Sequence, residues 1–175
     1  MNTSFLDSRE LVGLGLAAFG RRVRVSRFAR LYTPERIFLG DEVRIDDFAL
    51  LSPGNGVIRL EGHNHVGAGA MLFGDIELAI GATISGRAAV YATSDDFSIL
   101  APTYPYADGR RLVHGRVRIG RGVVVGTAAT VLPGSSIDDG IAVGAMSLVR
   151  VPLSRPGVYV GVPARWLRER SPDST

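Results

Sequence analysis

The sequence contains no cysteine and no lysine. Without cysteine there can be no disulfide, no thiolate nucleophile and no cysteine-based zinc site. Without lysine there can be no lysine nucleophile and no enzyme Schiff base. All 20 basic residues are arginine, whose guanidinium stays protonated and suits phosphate or carboxylate recognition better than proton transfer.

Long hydrophobic runs are also missing. The apolar stretch near the N-terminus covers only about ten residues, well short of the ~20 that span a bilayer. As a secretory signal it would be atypical, because Asp7 and Glu10 precede it and the pair Arg21-Arg22 follows it. We therefore expect a cytoplasmic protein with no membrane span.

The charge is nearly balanced, since 17 acidic residues are interspersed among the 20 basic ones and the formal net charge is +3. No cluster of basic and aromatic residues of the kind found in nucleic-acid-binding modules is visible. We expect no nucleic-acid partner. At 175 residues and 46% hydrophobic composition, the chain is long enough to bury the core of one domain.

What the chain does have is a six-residue period. Toward the C-terminal end, aliphatic residues recur at six-residue steps, at Ile119, Val125, Val131, Ile137, Val143 and Val149. Small or β-branched residues recur four positions after them, at Val123, Ala129, Ser135, Ile141 and Ser147. This period fits neither an α-helix nor an alternating strand and is typical of a hexapeptide β-solenoid, an all-β fold with one inward side chain per flat face.

The same period continues upstream in separate registers. One contains Leu39, Ile45 and Leu51, a second contains Leu60, Val66, Leu72 and Leu78, and a third contains Ile80, Gly86 and Ala92. We expect a loop or an irregular corner at each change of register. The pattern predicts a β-helix over residues 25–151 with one interruption.

That interruption covers residues 92–116, which contain prolines, tyrosines and charged residues without periodicity. A long segment of this kind inside a compact domain is usually functional or disordered. The prolines and tyrosines favour an ordered, protruding arm that could reach a neighbouring subunit.

Both ends of the chain differ from the periodic part. Residues 1–24 predict a short apolar helix from Ser8 to Phe19, with Asp7 or Ser8 as N-cap and Gly20 as its stop. Residues 152–175 predict a basic helix, from Pro163 to Arg170, that covers the open end of the solenoid.

Several of these stretches resemble a known family. Residues 117–134 and 142–149 and the closing element Gly161-Val-Pro-Ala-Arg165 are similar to the hexapeptide-repeat acyltransferases, whose fold is a left-handed parallel β-helix. Residues 43–52 and 92–98 are similar to acyltransferases of bacterial O-antigen and capsule clusters, including N-acyltransferases that act on dTDP-linked amino-deoxysugars. Together these stretches extend over nearly the whole chain.

The resemblance implies a homotrimer with acetyl-CoA, or another acyl-CoA, lying in the groove between adjacent subunits. It implies that backbone groups of four residues contact the pantetheine arm, namely Gly126, Thr127, Gly144 and Ala145. It also places Pro163 and Arg165 near the nucleotide end of the coenzyme, where the family commonly has lysine in place of Arg165. Glycines at corners are required by the fold as well, so a purely structural role stays open for them.

The predicted catalytic segment departs from the better-known sugar O-acetyltransferases, which carry a histidine as general base in the loop after the middle coils. The corresponding residues here, 93–97, include no histidine. An ordinary aspartate is a poor proton acceptor for a hydroxyl, whereas a carboxylate can hold a sugar amine against a thioester. We therefore favour N-acylation by direct attack in a ternary complex. Asp95 is the expected amine-binding carboxylate, Asp96 a second candidate and Ser85 a hydrogen-bonding partner; the alternative is that residues 94–96 only cap a turn.

The chain has three histidines, His63, His65 and His114. His65 is a candidate acid-base relay, and its alternative role is that of a surface histidine at a corner. An O-acetyltransferase would use His65 or His114 as its base, and a non-enzymatic trimeric scaffold is a further alternative. We expect no metal, because the spacing differs from that of the trimeric β-helix carbonic anhydrases. The pair Asp46-Asp47 is expected to stabilise a turn or to accept a hydrogen bond from the sugar.

Overall fold

The computed structural model describes residues 4–106 and 108–171. Helix α1 is Ser8–Gly13, and a short 3-10 turn is Pro34–Arg36. The strands, in chain order, are β1 Ala18–Phe19, β2 Arg24–Val25, β3 Arg30–Leu31, β4 Ile37–Asp41, β5 Arg44–Ile45, β6 Leu50–Ser52, β7 Ile58–Gly62, β8 His65–Val66, β9 Met71–Phe73, β10 Ile76–Leu78, β11 Thr83–Ile84, β12 Ala89–Tyr91, β13 Thr93–Asp95, β14 Leu112–His114, β15 Val117–Ile119, β16 Val124–Val125, β17 Thr130–Val131, β18 Ser136–Ile137, β19 Ala142–Val143, β20 Leu148–Val149, β21 Val158–Val160 and β22 Arg165–Arg168.

Three sheets form the faces of a prism. Sheet I has the order β1-β4-β7-β10-β15-β18, sheet II has β2-β5-β8-β11-β16-β19-β21-β22, and sheet III has β3-β6-β9-β12-β17-β20. Each turn of the chain visits the three sheets in sequence, and its strands pair in parallel with those of the turns before and after. The fold is therefore a parallel β-helix, which confirms the all-β solenoid predicted from the six-residue period.

The interior of the prism is aliphatic. All six residues of the predicted C-terminal register are at most 2% exposed, and so are the five small or β-branched residues that follow them. The paired residues Val66 and Ile84 are 18 positions apart, which is three hexapeptides for one complete turn. Each hexapeptide thus buries one aliphatic side chain of the face and one small or β-branched side chain near the corner, and together they fill the narrow core.

The third upstream register was wrong. Ile80, its first member, is 47% exposed, whereas Ile84 and Val90 are fully buried. The register that begins at Leu60 and passes through Leu78 therefore continues unbroken to Val90. Ile80 lies at a corner of the prism, where the chain turns from sheet I to sheet II and a side chain can point into solvent.

The N-terminal helix is shorter than expected. Asp7 caps it, since the Asp7 carboxylate accepts hydrogen bonds from the backbone amides of Arg9 and Glu10, as predicted for one of the two candidate caps. The helix ends at Gly13, because Gly15 adopts a left-handed conformation with φ of 71°, and Gly20 is not the stop. Residues 18–19 form β1 instead and pair with β4.

The predicted C-terminal helix is also wrong, because residues 165–168 form β22, an antiparallel partner of β21. Without β22 the last strand of sheet II would leave a row of unpaired backbone groups, and pairing them outweighs the local helix propensity. The Trp166 ring packs partly against the core and under the guanidinium of Arg155, 3.5 Å from the ring centroid. The cap of the solenoid is therefore a strand.

The division into residues 1–24, 25–151 and 152–175 stays a prediction. Parallel pairing begins at β1 and ends at β21, and thus extends beyond 25–151 at both ends. Among the described residues, no helix is long and apolar enough to cross a membrane.

Candidate active site

One corner of the prism, between sheets II and III, carries six of the predicted site residues. Here the backbone amides of Asp46, Gly67, Ser85, Gly126 and Gly144 each donate to a carbonyl of the next coil, at 2.7 to 2.9 Å. These five residues therefore stack in one column, with about 4.8 Å between neighbouring coils. We call this the serine corner. Ser85 stands in the column, His65 lies beside it on β8, and the predicted coenzyme contacts occupy the two coils that follow Ser85.

At the serine corner, the imidazole Nε2 of His65 lies 2.7 Å from Oδ2 of Asp46. The other carboxylate oxygen of Asp46 accepts a 2.6 Å hydrogen bond from Nε of Arg44. Burial raises the pKa of Asp46, but the hydrogen bonds from His65 and Arg44 outweigh it and leave that pKa below its usual value. Asp46 is thus a carboxylate held between two donors, and it joins the coils of β5 and β8.

The two predicted coenzyme-binding glycines have a packing reason of their own. A methyl group at Gly126 would lie 2.6 Å from the carbonyl oxygen of Val143 and 2.7 Å from the amide nitrogen of Ala145. A methyl group at Gly144 would lie 2.8 Å from Cγ1 of Val160. The fold therefore requires glycine at position 126 whether or not a ligand binds, whereas at Gly144 the close contact is with a side chain and not with backbone. Thr127 and Ala145, which follow them, are exposed at the same corner.

We expect Gly126→Ala to lower the free energy of unfolding by about 2 kcal/mol, because its Cβ would overlap the backbone of the next coil. The melting temperature measured by circular dichroism should fall by several degrees. Gly13→Ala is the matched control, since nothing lies within 4 Å of the added carbon and alanine favours the helix. An unchanged melting temperature in Gly126→Ala would contradict the close packing of the two coils at this position.

A second corner, between sheets III and I, carries the arm of residues 92–116. The base of the arm is a two-stranded antiparallel ribbon of β13 and β14, in which Asp95 is paired with Leu112. The Asp95 carboxylate faces Arg110, whose Nε and Nη2 donate to its two oxygens at 2.8 and 3.3 Å. This hydrogen bond also raises the pKa of Arg110. We call this the aspartate corner.

Asp96 has a different environment. Its Oδ1 accepts a 2.9 Å hydrogen bond from the backbone amide of Ser98 and a second from the Ser98 hydroxyl. These bonds lower the pKa of Asp96. This geometry is that of a turn cap, which was the alternative for residues 94–96. The cap engages the carboxylate of Asp96, whereas the carboxylate of Asp95 takes no part in it.

Two clefts flank the ribbon. A cleft of about 620 Å³ lies beneath it and is lined by Phe73, Asp75, Thr93, His114 and Arg116, among others. A smaller one of about 390 Å³ is lined by Asp95, Arg110 and the Phe73 and Tyr91 rings, which stack in parallel at 5.4 Å. His114 is exposed, and its Nδ1 lies 3.1 Å from the Thr93 hydroxyl. The aspartate corner therefore offers room for a ligand beside a carboxylate.

The remaining predicted coenzyme contacts lie at the end of the solenoid. Pro163 is half-buried and Arg165 is exposed, in the segment that leads from β21 into β22. The backbone amide of Gly161 donates to the Ser147 hydroxyl, and that of Ala164 donates to the carbonyl of Leu148. These bonds fix the closing element against the last coil. No group of three or more His, Asp or Glu side chains suited to a metal occurs in residues 4–106 and 108–171.

The structure thus places the predicted residues at the serine corner, at the aspartate corner and at the end of the solenoid, and it separates Ser85 from Asp95. Sequence reasoning missed Arg110, the partner of Asp95, and it missed Asp46 as the partner of His65. It also missed the two clefts. The 18-residue turn could have shown that His65 and Thr83 are neighbours on adjacent coils. The partner of Asp95 depends on the register of the ribbon, which lies in a segment without periodicity and gives no such signal.

The chain is similar to acyltransferases over almost its full length, although no protein-family model matches it. It is 32% identical over 173 residues to an Escherichia coli protein named dTDP-4-amino-4,6-dideoxy-D-glucose acyltransferase, covering 96% of this chain and 90% of that protein. It is 30% identical over 158 residues to an Escherichia coli K12 protein named putative lipopolysaccharide biosynthesis O-acetyl transferase WbbJ, covering 90% of this chain and 66% of WbbJ.

Among solved structures, AntD, an N-acyltransferase from Bacillus cereus, is 38% identical with a TM-score of 0.87, and the match covers 98% of this chain and 92% of AntD. That crystal structure contains dTDP and 3-hydroxybutyryl-CoA. A likeness to the acetyltransferase domain of PglB from Neisseria gonorrhoeae, at 17% identity and a TM-score of 0.62, concerns the fold alone. The sequence similarity, the six-residue period and the parallel β-helix agree, and the chain belongs to the hexapeptide-repeat sugar acyltransferases.

Proposed function

We propose that the protein transfers an acyl group from acyl-CoA to the amino group of a dTDP-linked 4-amino-4,6-dideoxysugar, as a step in surface polysaccharide biosynthesis. The observation that carries this proposal is the near full-length similarity to the Escherichia coli acyltransferase and to AntD. One AntD structure contains both dTDP-4-amino-4,6-dideoxyglucose and coenzyme A. A cytoplasmic location belongs to the same proposal, because acyl-CoA is available there.

We assign the amine contact to Asp95 and a hydrogen bond to Ser85. The AntD crystals include variants at an aspartate and at a serine that are ten positions apart in its chain. Ser85 and Asp95 have the same residue types and the same separation. An ionised carboxylate has about four lone-pair positions, of which Arg110 uses two, so Asp95 can hold a substrate ammonium and Arg110 together.

The distance between the two corners bears on the oligomeric state. The strand β12 of sheet III separates Ser85 from Asp95, and an extended stretch of this length spans on the order of 15 Å. One nitrogen cannot make hydrogen bonds to both residues of the same chain. A homotrimer that places the serine corner of one subunit beside the aspartate corner of the next would satisfy both contacts, and we include this trimer in the proposal.

Exposed apolar side chains on the arm support the same assembly. Phe97, Leu100, Tyr104 and Tyr106 are each at least 67% exposed. A cluster of large apolar side chains on a protruding segment commonly marks a contact with another protein surface. A neighbouring subunit would cover these side chains and enclose the cleft beside Asp95.

Acyl-CoA would lie along the serine corner, C-terminal to Ser85. Thr127 and Ala145 are exposed there on successive coils, and their backbone groups can contact the pantetheine arm. Arg165, exposed near the end of the solenoid, can meet a phosphate of the nucleotide. The carbonyl of the thioester would then reach the interface at the level of Ser85.

The reaction is direct transfer within the ternary complex. The substrate ammonium first loses one proton to water. The neutral amine then attacks the thioester carbonyl, the carbon–nitrogen bond forms, the carbonyl electron pair moves to oxygen, and the nitrogen, now cationic, releases a second proton. When the tetrahedral intermediate collapses, the carbon–sulfur bond breaks and the sulfur takes up a proton, so that coenzyme A leaves as a thiol. Asp95 holds the nitrogen in line with the carbonyl. The Ser85 hydroxyl donates a hydrogen bond to the reacting groups or accepts one from them.

Transfer to a hydroxyl is the second candidate, favoured by the similarity to WbbJ. Such a reaction needs a general base, for which His65 or His114 are the candidates. To separate the two functions, the purified protein is given acetyl-CoA with dTDP-4-amino-4,6-dideoxyglucose or with its 4-hydroxyl counterpart. Coenzyme A release and product mass are measured. We expect transfer to the amine at least 10²-fold faster; preferential acetylation of the hydroxyl would overturn N-acylation.

A further inference from the structure

A proton must leave the sugar nitrogen during transfer, and Asp95 is poorly suited to take it. Arg110 and the ammonium both favour the ionised form of the Asp95 carboxylate, which makes it a good holder of positive charge and a weak base. The chain has no lysine or cysteine, so histidine is the side chain best suited to accept a proton near neutral pH. The proton acceptor should therefore be a histidine that lies at the serine corner.

Of the three histidines, His65 is the one that lies at the serine corner. The Cα atoms of His65 and Thr83 are partners on adjacent strands, and Ser85 follows Thr83 by two residues on the same outer side. One coil of 4.8 Å and two residues of 3.3 Å place His65 about 8 Å from Ser85, Cα to Cα. His63 lies instead at the preceding corner, 3.5 Å from Glu42, and His114 lies on the arm.

The partner of His65 determines which nitrogen is free. Asp46 is ionised, since its pKa is lowered, and its carboxylate therefore accepts a hydrogen bond from the Nε2–H group of His65. In the neutral ring the other nitrogen, Nδ1, then carries the lone pair. In residues 4–106 and 108–171 no hydrogen bond to Nδ1 is formed. The His65 side chain is 41% exposed and that of Asp46 only 17%, so the ring can meet a ligand while its anchor stays covered.

We propose that His65 is the proton acceptor of the acyl transfer and that Asp46 is its positioning residue. This inference rests on the proposed function. Nδ1 of His65 takes the proton released by the sugar nitrogen, directly or through one water, as the carbon–nitrogen bond forms. The imidazolium is stabilised by the Asp46 carboxylate, and the proton then passes to the departing thiolate, so that coenzyme A leaves as a thiol.

The charged groups around the pair agree with this role. From β5, Arg44 lies beside His65 in the ladder and holds the second oxygen of Asp46, which keeps the carboxylate from rotating away. From β11, the neighbour of His65 is Thr83, which does not titrate near neutral pH. At the preceding corner Glu42 is paired with Arg22, and in the following turn Asp47 accepts a hydrogen bond from Ser26.

The test is the pH dependence of kcat/KM for acetyl transfer to dTDP-4-amino-4,6-dideoxyglucose. Loss of the base in His65→Gln should lower kcat/KM about 10²-fold and abolish the acid limb that reports its protonation. Asp46→Asn should lower kcat/KM about tenfold, because a charge-assisted hydrogen bond becomes a neutral one. Asp46→Asn should also shift the acid limb to lower pH, because the protonated His65 ring loses the carboxylate that stabilises it. Added imidazole should restore activity to His65→Ala.

His63→Asn is the matched control, because it removes a histidine of the neighbouring corner and should leave the profile unchanged. Melting temperatures and coenzyme A binding separate misfolding from loss of the base; if His65→Gln does not fold, imidazole rescue of His65→Ala decides. If the wild type acylates the amine and the His65 variants keep its rate and its profile, the proton acceptor lies elsewhere while the proposed function stands. If the wild type does not acylate the amine, both are overturned.

Discussion

Asp95→Asn should lower kcat/KM for amine acylation by about 10²- to 10³-fold. The neutral amide cannot balance a substrate ammonium, and its NH₂ group would face Arg110 with like polarity. The fold should survive, because the ion pair with Arg110 is partly exposed, at 24% and 32%, and screening by solvent leaves it little effect on stability. Steady-state kinetics with a melting curve for each protein make the measurement.

Substitutions of two other aspartates on the arm serve as comparisons for Asp95→Asn. Asp108→Asn is the control, since Asp108 is exposed on the same arm and should leave the rate unchanged. Asp96→Asn tests the second candidate, whose carboxylate is engaged by Ser98. Wild-type kinetics in Asp95→Asn, or a larger loss in Asp96→Asn, would contradict the assignment of the amine to Asp95.

Mixing two inactive variants should restore activity. If the amine lies between Ser85 of one subunit and Asp95 of the next, Ser85→Ala and Asp95→Asn subunits can form an intact site together. Random assembly of equal amounts into trimers should yield about one quarter of the wild-type rate, since each site needs one particular subunit on each side. Each variant alone should show at most a few per cent.

The double variant Ser85→Ala/Asp95→Asn is the matched control for mixing. Combined in equal amounts with wild type, it should also leave about one quarter of the sites intact when two subunits build each site, and about one half when a single chain builds it. No recovery in the first mixture, together with half activity in the second, would show that both residues serve the same site from one chain.

Much of the fold could be predicted from the sequence because the interior of this prism has a simple rule. Val125 and Val131 point inward from successive faces, and every face repeats the same local arrangement. The rule failed at Ile80, where an aliphatic residue at a corner starts a false register beside Leu78. It failed again at residues 165–168, where the unpaired edge of the last strand outweighs helix propensity.

The site could be predicted only in part, because its residues depend on contacts that the period does not encode. Asp95 and Arg110 are 15 positions apart in a segment without periodicity, and only the antiparallel register of the ribbon brings them together. His65 and Asp46 lie on adjacent coils of the β-helix. The turn between them has 21 residues, since Ile45 is paired with Val66, so an 18-residue repeat would have placed Asp47 and not Arg44 beside His65.

The central claim is that the amino group of the sugar lies between Asp95 of one subunit and Ser85 of another. A crystal structure with coenzyme A and dTDP-4-amino-4,6-dideoxyglucose tests it most directly. We predict the amino nitrogen within about 3.2 Å of the Asp95 carboxylate and of the Ser85 hydroxyl of the adjacent subunit. A sugar nitrogen more than about 6 Å from both side chains, beyond even a bridging water, would contradict the account.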